Sequence, residues 1–181
     1  MVEQLKSKER LREAFGQFLD PRIVSHVVDN STGQLKEVAD RRKVTIFFSD
    51  ISNFSGIGEQ LTAANLVHLL NRYFTASTEA IRAHQGIVDK FIGDGVMAFW
   101  ASPFSPGESH ALDGCRACLE LRESFGRISR EISEITGMRR HVPKFHVRMA
   151  LATGDTVIGT VGSDTTKSFT VIGDTVNIAS R

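Results

Sequence analysis

KVTIFFSD, residues 43–50, is a nearly unbroken apolar run that ends on an aspartate. Its length and its Val, Ile and Phe content predict a buried strand. Working outward, ISNFSGIGEQ (51–60) reads as a turn, and a helix is predicted from about Thr62. Leu66, Leu70, Tyr73, Ser77, Ile81 and His84 lie along one face of that helix, and Gly86 is its expected stop. GIVDKFI and VMAFWA predict two strands joined at Gly93-Asp94-Gly95, a hairpin signal. Residues 109–136 predict a long amphipathic helix through Leu112, Cys115, Leu119, Ile128, Ile132 and Ile135, ended by Gly137. KFHVRMALATG alternates, with Phe145, Val147, Met149 and Leu151 inward and His146 and Arg148 outward, and further strands are predicted around 156–161 and 168–172. The order strand, helix, strand, strand, helix, strand, strand, strand predicts an α+β fold, a ferredoxin-like antiparallel sheet with helices packed on one face.

The 181 residues are enough for one domain with its own core, plus a short appendage. Lys and Arg number 22 against 21 Asp and Glu, a formal charge of +1, which excludes a broad electrostatic grip on nucleic acid. That balance leaves room for a small, local phosphate site. Two cysteines exclude a disulfide scaffold, and the charged N-terminus MVEQLKSKERLREAF has no apolar signal region. No apolar run approaches a membrane span, so a cytoplasmic chain is expected, with the parent protein free to be membrane-attached elsewhere.

Residues 1–40 read as a helical lead-in or connector and 41–181 as the catalytic-sized domain. Within the lead-in, Leu5, Leu11, Phe15, Phe18 and Leu19 form one apolar stripe, and Asp20-Pro21 restarts a helix that Asp20 can cap. Two roles suit such a segment: a helix packed on its own domain, or a connector or dimer helix. Cys115 and Cys118 form a single C-x-x-C whose first member falls in the predicted apolar stripe, so core packing is expected rather than redox or zinc chemistry. Trp100 is expected in the core.

Asp50 closes the first strand and Asp94 lies in the hairpin turn. Each alone reads as turn or cap chemistry. Together, if the first strand pairs beside the hairpin, they converge at one sheet end and suit a divalent cation carrying a polyphosphate.

VTIFFSDISNFSG, GIVDKFIGDGVMAFW, RMALATGDTVIGTVGS and FTVIGDTVNIASR resemble, in order and spacing, the class III nucleotidyl cyclase catalytic domain, over about Lys43 to Arg181. FGQFLDPRIVSHVV also resembles the helical segment preceding that domain in many bacterial cyclases with upstream sensors. The resemblance implies a homodimer with active sites at its interface, acting on ATP with two Mg²⁺ or Mn²⁺ ions per site. It implies Asp50, Asp94 and the Ile51 carbonyl as metal ligands, and Phe54 and Ser55 as phosphate-binding residues. The family often has Gly where this chain has Asn53, which tolerates unusual backbone angles. From the partner protomer would come Lys90 and Thr170 as the base-specifying pair, with Asn177 orienting the ribose and Arg181 stabilising charge on the reacting phosphate.

Lysine donates to adenine N1 and threonine can engage its 6-amino side, so the pair resembles adenylate rather than guanylate cyclases. Arg148 reads as structural. Other readings are a guanylate cyclase and a non-catalytic nucleotide-binding or dimerisation module. The resemblance also implies a longer last helix, final strands and a triphosphate-binding lysine after Arg181, so the chain reads either as a fragment or as a natural variant that ends early.

Overall fold

The computed structural model describes residues 20–27, 39–105, 109–140, 142–163 and 165–181. The stripe from Leu5 to Leu19 lies outside these residues. Strand β1 (Ala39–Ile51) is followed by helices α2 (Phe54–Gln60) and α3 (Ala63–Ala83). A hairpin of β2 (Ile87–Ile92) and β3 (Gly95–Trp100) leads to α4 (His110–Thr136). Then come β4 (Val147–Gly162), β5 (Lys167–Ile172) and α5 (Asp174–Ser180), while α1 (Pro21–Val27) precedes β1. The sheet order is β2-β3-β1-β4-β5, antiparallel throughout. The first four strands have the ferredoxin-like arrangement, and β5 extends it at the β4 edge.

β1 is central because both faces of its apolar run find partners. Phe47 and Ile51 join Tyr73, Ile81, Trp100, Leu121 and Phe125 in a core under α3 and α4. Val44 and Ile46 face the other way, into a second core with Ile23, Phe99, Phe104, Ile158, Phe169, Val171 and Ala179. Helices therefore cover both faces: α3 and α4 on one, α1 and α5 on the other. This corrects the expectation of helices on one face, which missed that a strand apolar on both sides needs cover on both.

Three further local expectations change. Sequence periodicity puts Leu112, Cys115 and Leu119 in the core stripe of α4, whereas all three are exposed. The buried face there is Gly114, Ala117 and Leu121. The helix lies so close to the sheet that a Cβ at Gly114 would sit 3.2 Å from Thr45 Cγ2, so small residues carry the contact. Cys118 is half-buried, and burial pushes its thiol up to about 11. Second, 147–162 is one continuous strand rather than two, with Thr153 and Gly154 paired to Thr45 and Val44. Third, α3 ends at Ala83 with His84 as its C-cap, and Gln85 beyond it takes the left-handed conformation (φ 64°). Gly86 serves a different need: a Cβ there would meet Trp100 Cε2 at 2.6 Å and Ile81 Cγ2 at 2.7 Å. Trp100 is fully buried, as expected, and donates from Nε1 to the His84 carbonyl at 2.7 Å.

The lead-in helix is tied to this corner. Asp20 accepts from the Arg22 amide at 3.0 Å, capping α1 as expected, while Arg22 Nη2 donates to the Gly86 carbonyl at 2.6 Å. Burial raises the Asp20 carboxyl, but the bonds from Arg22 and the charges of Arg22 and Arg82 outweigh it and hold it below its ordinary range.

Gly86 and Gly126 separate the two uses of glycine. Gly86→Ala should destabilise the fold by about 1–3 kcal/mol through overpacking against Trp100. Gly126→Ala, in the middle of α4 with nothing nearer than Arg130 Nη1 at 3.7 Å, should stabilise it by about 0.5–1 kcal/mol. Urea denaturation midpoints of the two variants check both signs.

Candidate active site

Register places the acidic pair. Asp50 lies opposite Arg148 on β4, and Ser49 lies opposite Val96 on β3. The β2–β3 turn is the two residues Gly93-Asp94, with Gly93 left-handed (φ 61°). The turn therefore delivers Asp94 beside the end of β1, where its Oδ2 accepts from the Ile51 amide at 3.0 Å. Arg148 grips Asp50 with two bonds, Nε to Oδ1 at 3.0 Å and Nη2 to Oδ2 at 2.6 Å. The Asp50 bonds, reinforced by its charge, raise the Arg148 guanidinium's proton affinity further. Arg148 thus stands at the acidic pair. Its outward place in the alternation of β4 was visible in the sequence, but its partner was not.

Beneath the pair lies Tyr73, which shares a 2.8 Å hydrogen bond with buried Ser49. A cleft of about 550 Å³ opens over Asp50 and Arg148 and reaches Ile92, Gly95, Ala179, Ser180 and Arg181. Arg181 thus lines the cleft of Asp50 within one chain, whereas the resemblance assigns it to the partner's half. Asn177, on the same helix, is exposed and outside the lining. After β1, Asn53 adopts the left-handed conformation (φ 57°) and starts α2, so Phe54 and Ser55 occupy its first turn. A Cβ at Gly56 would meet the Asn53 side chain at 2.6 Å, so the turn is tight.

The donor set suits a hard cation. Asp50 and Asp94 are both partly exposed, and among the described residues no three acidic, His or Cys side chains form a metal-holding group. Two carboxylates with open coordination fit Mg²⁺ or Mn²⁺, whose remaining positions water and phosphate oxygens fill, and do not fit a closed zinc site.

A second group forms where the two edge strands meet. Lys90 Nζ on β2 donates to Thr170 Oγ1 on β5 at 3.3 Å. Thr170 in turn donates to Asp89 Oδ2 at 2.6 Å. The structure thus brings Lys90 and Thr170 together across a curled sheet. This group and the Asp50–Asp94 group share no hydrogen bond among the described residues.

Fold and site together define a nucleotidyl cyclase domain: the chain belongs to the adenylate and guanylate cyclase catalytic domain family, which matches residues 37–181. It is 35% identical over 141 residues to "Adenylate cyclase 1" of Rhizobium meliloti (strain 1021), covering 78% of this chain and 20% of that protein. The chain thus spans about a fifth of that relative's length. The crystal structure of the adenylyl cyclase CyaB from P. aeruginosa aligns with a TM-score of 0.68 and 33% identity, over 80% of this chain and 72% of that one. The guanylyl cyclase Cya2 aligns at 0.69 and 27%, over 78% and 69%. No helix among the described residues is long and apolar enough to cross a membrane.

Tyr73 is the chain's one tyrosine, which makes its environment measurable. Burial, with the nearby Asp94 and Asp50 charges, pushes its phenol far up, and the Ser49 bond opposes this only in part. A raised native pKa stabilises the fold fully below the unfolded value near 10 and the benefit is lost above it. Tyrosinate absorbance should therefore appear together with alkaline unfolding. A tyrosinate signal near pH 10 in the folded chain would contradict the buried placement.

Proposed function

We propose that this chain is an adenylate cyclase domain, converting ATP to 3′,5′-cyclic AMP and pyrophosphate on the cytoplasmic side of the cell. One observation carries the reading: Lys90 and Thr170 are held within 3.3 Å of each other. An ammonium donor beside a hydroxyl acceptor complements adenine, which presents an acceptor at N1 and a donor at its 6-amino group. Guanine presents a donor at N1 and an oxo acceptor at C6, so Lys90 would face a donor. The names of the adenylate cyclase relatives support the same choice.

Asp50 and Asp94, with the Ile51 carbonyl, would hold two Mg²⁺ or Mn²⁺ ions. Such ions, when bound, favour the ribose 3′-oxyanion and neutralise the triphosphate. Phe54 and Ser55 would meet the phosphates through backbone N–H groups and the hydroxyl, and Arg148 adds a cation at the same end. Asn177 would align the ribose, and Arg181 would meet charge building on the α-phosphate. The 3′-oxygen loses its proton and forms a bond to the α-phosphorus. The bond from that phosphorus to the bridging oxygen breaks, and pyrophosphate leaves. The separation of the acidic group from the Lys90–Thr170 group supports a homodimer in which two copies complete each site. Residues 1–40 then act as the connector to an upstream sensor domain, with 41–181 as the cyclase domain.

The test is turnover of ATP with Mn²⁺ or Mg²⁺, read as cyclic AMP. Asp50→Ala should lose on the order of 100-fold or more, since a metal site supplies several kcal/mol. Full turnover by that variant overturns the metal assignment. The pair Lys90→Glu and Thr170→Cys should move preference toward GTP, and an unmoved preference overturns the base-reading roles.

A further inference from the structure

Asp89 lies beneath the base-reading pair and has no assigned role. It is the extra residue of a bulge in β2: Val88 pairs with Ala98 and Lys90 with Met97, which leaves Asp89 unopposed. Bulges re-aim side chains and recur beside active sites. Here the bulge turns the carboxyl inward, where its side chain is 1% exposed. One oxygen, Oδ2, accepts from the Thr170 hydroxyl at 2.6 Å and stands 3.6 Å from Lys90 Nζ. The other, Oδ1, is buried without a hydrogen-bond partner.

A buried carboxylate with an unpaired oxygen costs the fold free energy. Burial pushes the Asp89 carboxyl above its ordinary range, with the Thr170 bond and the Lys90 charge opposing it. Packing therefore gives no reason for this residue. The hydrogen-bond arithmetic gives one. A threonine hydroxyl has one proton and two lone pairs. A carboxylate can only accept, so the Thr170 proton is committed inward. The Lys90 ammonium can only donate, and it takes one lone pair. What Thr170 has left to offer a ligand is an acceptor.

We infer that Asp89 is a positioning residue that fixes the polarity of Thr170, so that the site accepts a hydrogen bond from an exocyclic amino group and rejects an oxo group. The inference rests on the base-reading roles proposed above and names what enforces them. Without the carboxylate, the hydroxyl could turn and donate outward, and a 6-oxopurine nucleotide would then be rejected less strongly, with Lys90 still facing its N1 donor.

The experiment compares ATP with GTP on the full chain, by equilibrium binding and by kcat/KM. Asp89→Asn is nearly isosteric, and its amide can donate to Thr170 Oγ1 and free the hydroxyl proton. The ATP-to-GTP ratio should fall about tenfold, the effect of reversing one hydrogen bond. The melting temperature should hold or rise, because a buried charge is removed. Thr170→Ser should keep the wild-type ratio. In a Thr170→Val background, Asp89→Asn should leave the ratio where Thr170→Val alone puts it. An unchanged ratio in Asp89→Asn overturns the inference, and so does a further fall in the Thr170→Val background. A wild-type chain that takes ATP and GTP equally overturns the adenine reading, and the inference that rests on it falls with it, whereas an ATP-selective wild type with an unmoved Asp89→Asn ratio overturns the inference alone. Uptake of neither nucleotide overturns both.

Discussion

Everything at the site depends on the register of β1. Its pairing with β3 puts Ser49 opposite Val96, and its pairing with β4 puts Asp50 opposite Arg148. A slip of one residue would exchange the faces of β1, turning Asp50 toward the core under α3 and α4 and taking Phe47 and Ile51 out of it. The two apolar faces of the strand therefore hold the acidic end in place. Neither face alone could, because each buries alternate residues and both must stay satisfied at once. Hydrogen-bonded threonines repeat the message further along: Thr45 Oγ1 lies 2.8 Å from Thr153 Oγ1 on β4.

The support under the acidic pair is polar rather than apolar. Tyr73 and Ser49 are buried, and their hydroxyls bond each other. The tyrosine ring is also packed on Phe74, Phe125 and Phe145, with centroids 5.3, 5.3 and 6.2 Å away. A neutral hydroxyl pair can sit below two carboxylates without adding charge, whereas a tyrosinate there would be repelled by both. Tyr73, a neutral phenol whose pKa burial raises further, thus adds no charge beneath the acidic end.

How much of this was legible follows from what local pattern can carry. KVTIFFSD announces a buried strand and Gly93-Asp94-Gly95 announces a hairpin, so the convergence of Asp50 and Asp94 could be expected if the two pair, but the cover on the second face of β1 could not. The N-terminal half of α4 was misread because hydrophobic counting rewards Leu112 and Leu119, while the real contact surface is Gly114 and Ala117. Close approach selects small residues, and periodicity does not weigh them. The division of β4 at Thr153-Gly154 was misread for a related reason: a glycine in a strand looks like a break, yet here Thr175 Oγ1 would lie 2.5 Å from its Cβ. The Arg148–Asp50 pair and the Asp89–Thr170 bond join residues 98 and 81 positions apart. No local signal reports contacts of that span, and the bulge that aims Asp89 looks like ordinary strand sequence.

Charge at the site sharpens the meaning of the near-neutral whole. A formal charge of +1 is spread over 181 residues, so a triphosphate would not be drawn in by the general field. Locally, two carboxylates face the guanidinium of Arg148, and Arg181 also lines the cleft. Left to themselves, the carboxylates would repel a polyanion. On the proposed reading they are intelligible as an address for cations, which would reverse the sign of the local potential where the phosphates must sit. Arg148 then has two alternative anions, Asp50 and a phosphate oxygen. A cation on Asp50 would weaken its hold on Arg148 and release the guanidinium toward the phosphate, so loading of one would prepare the site for the other.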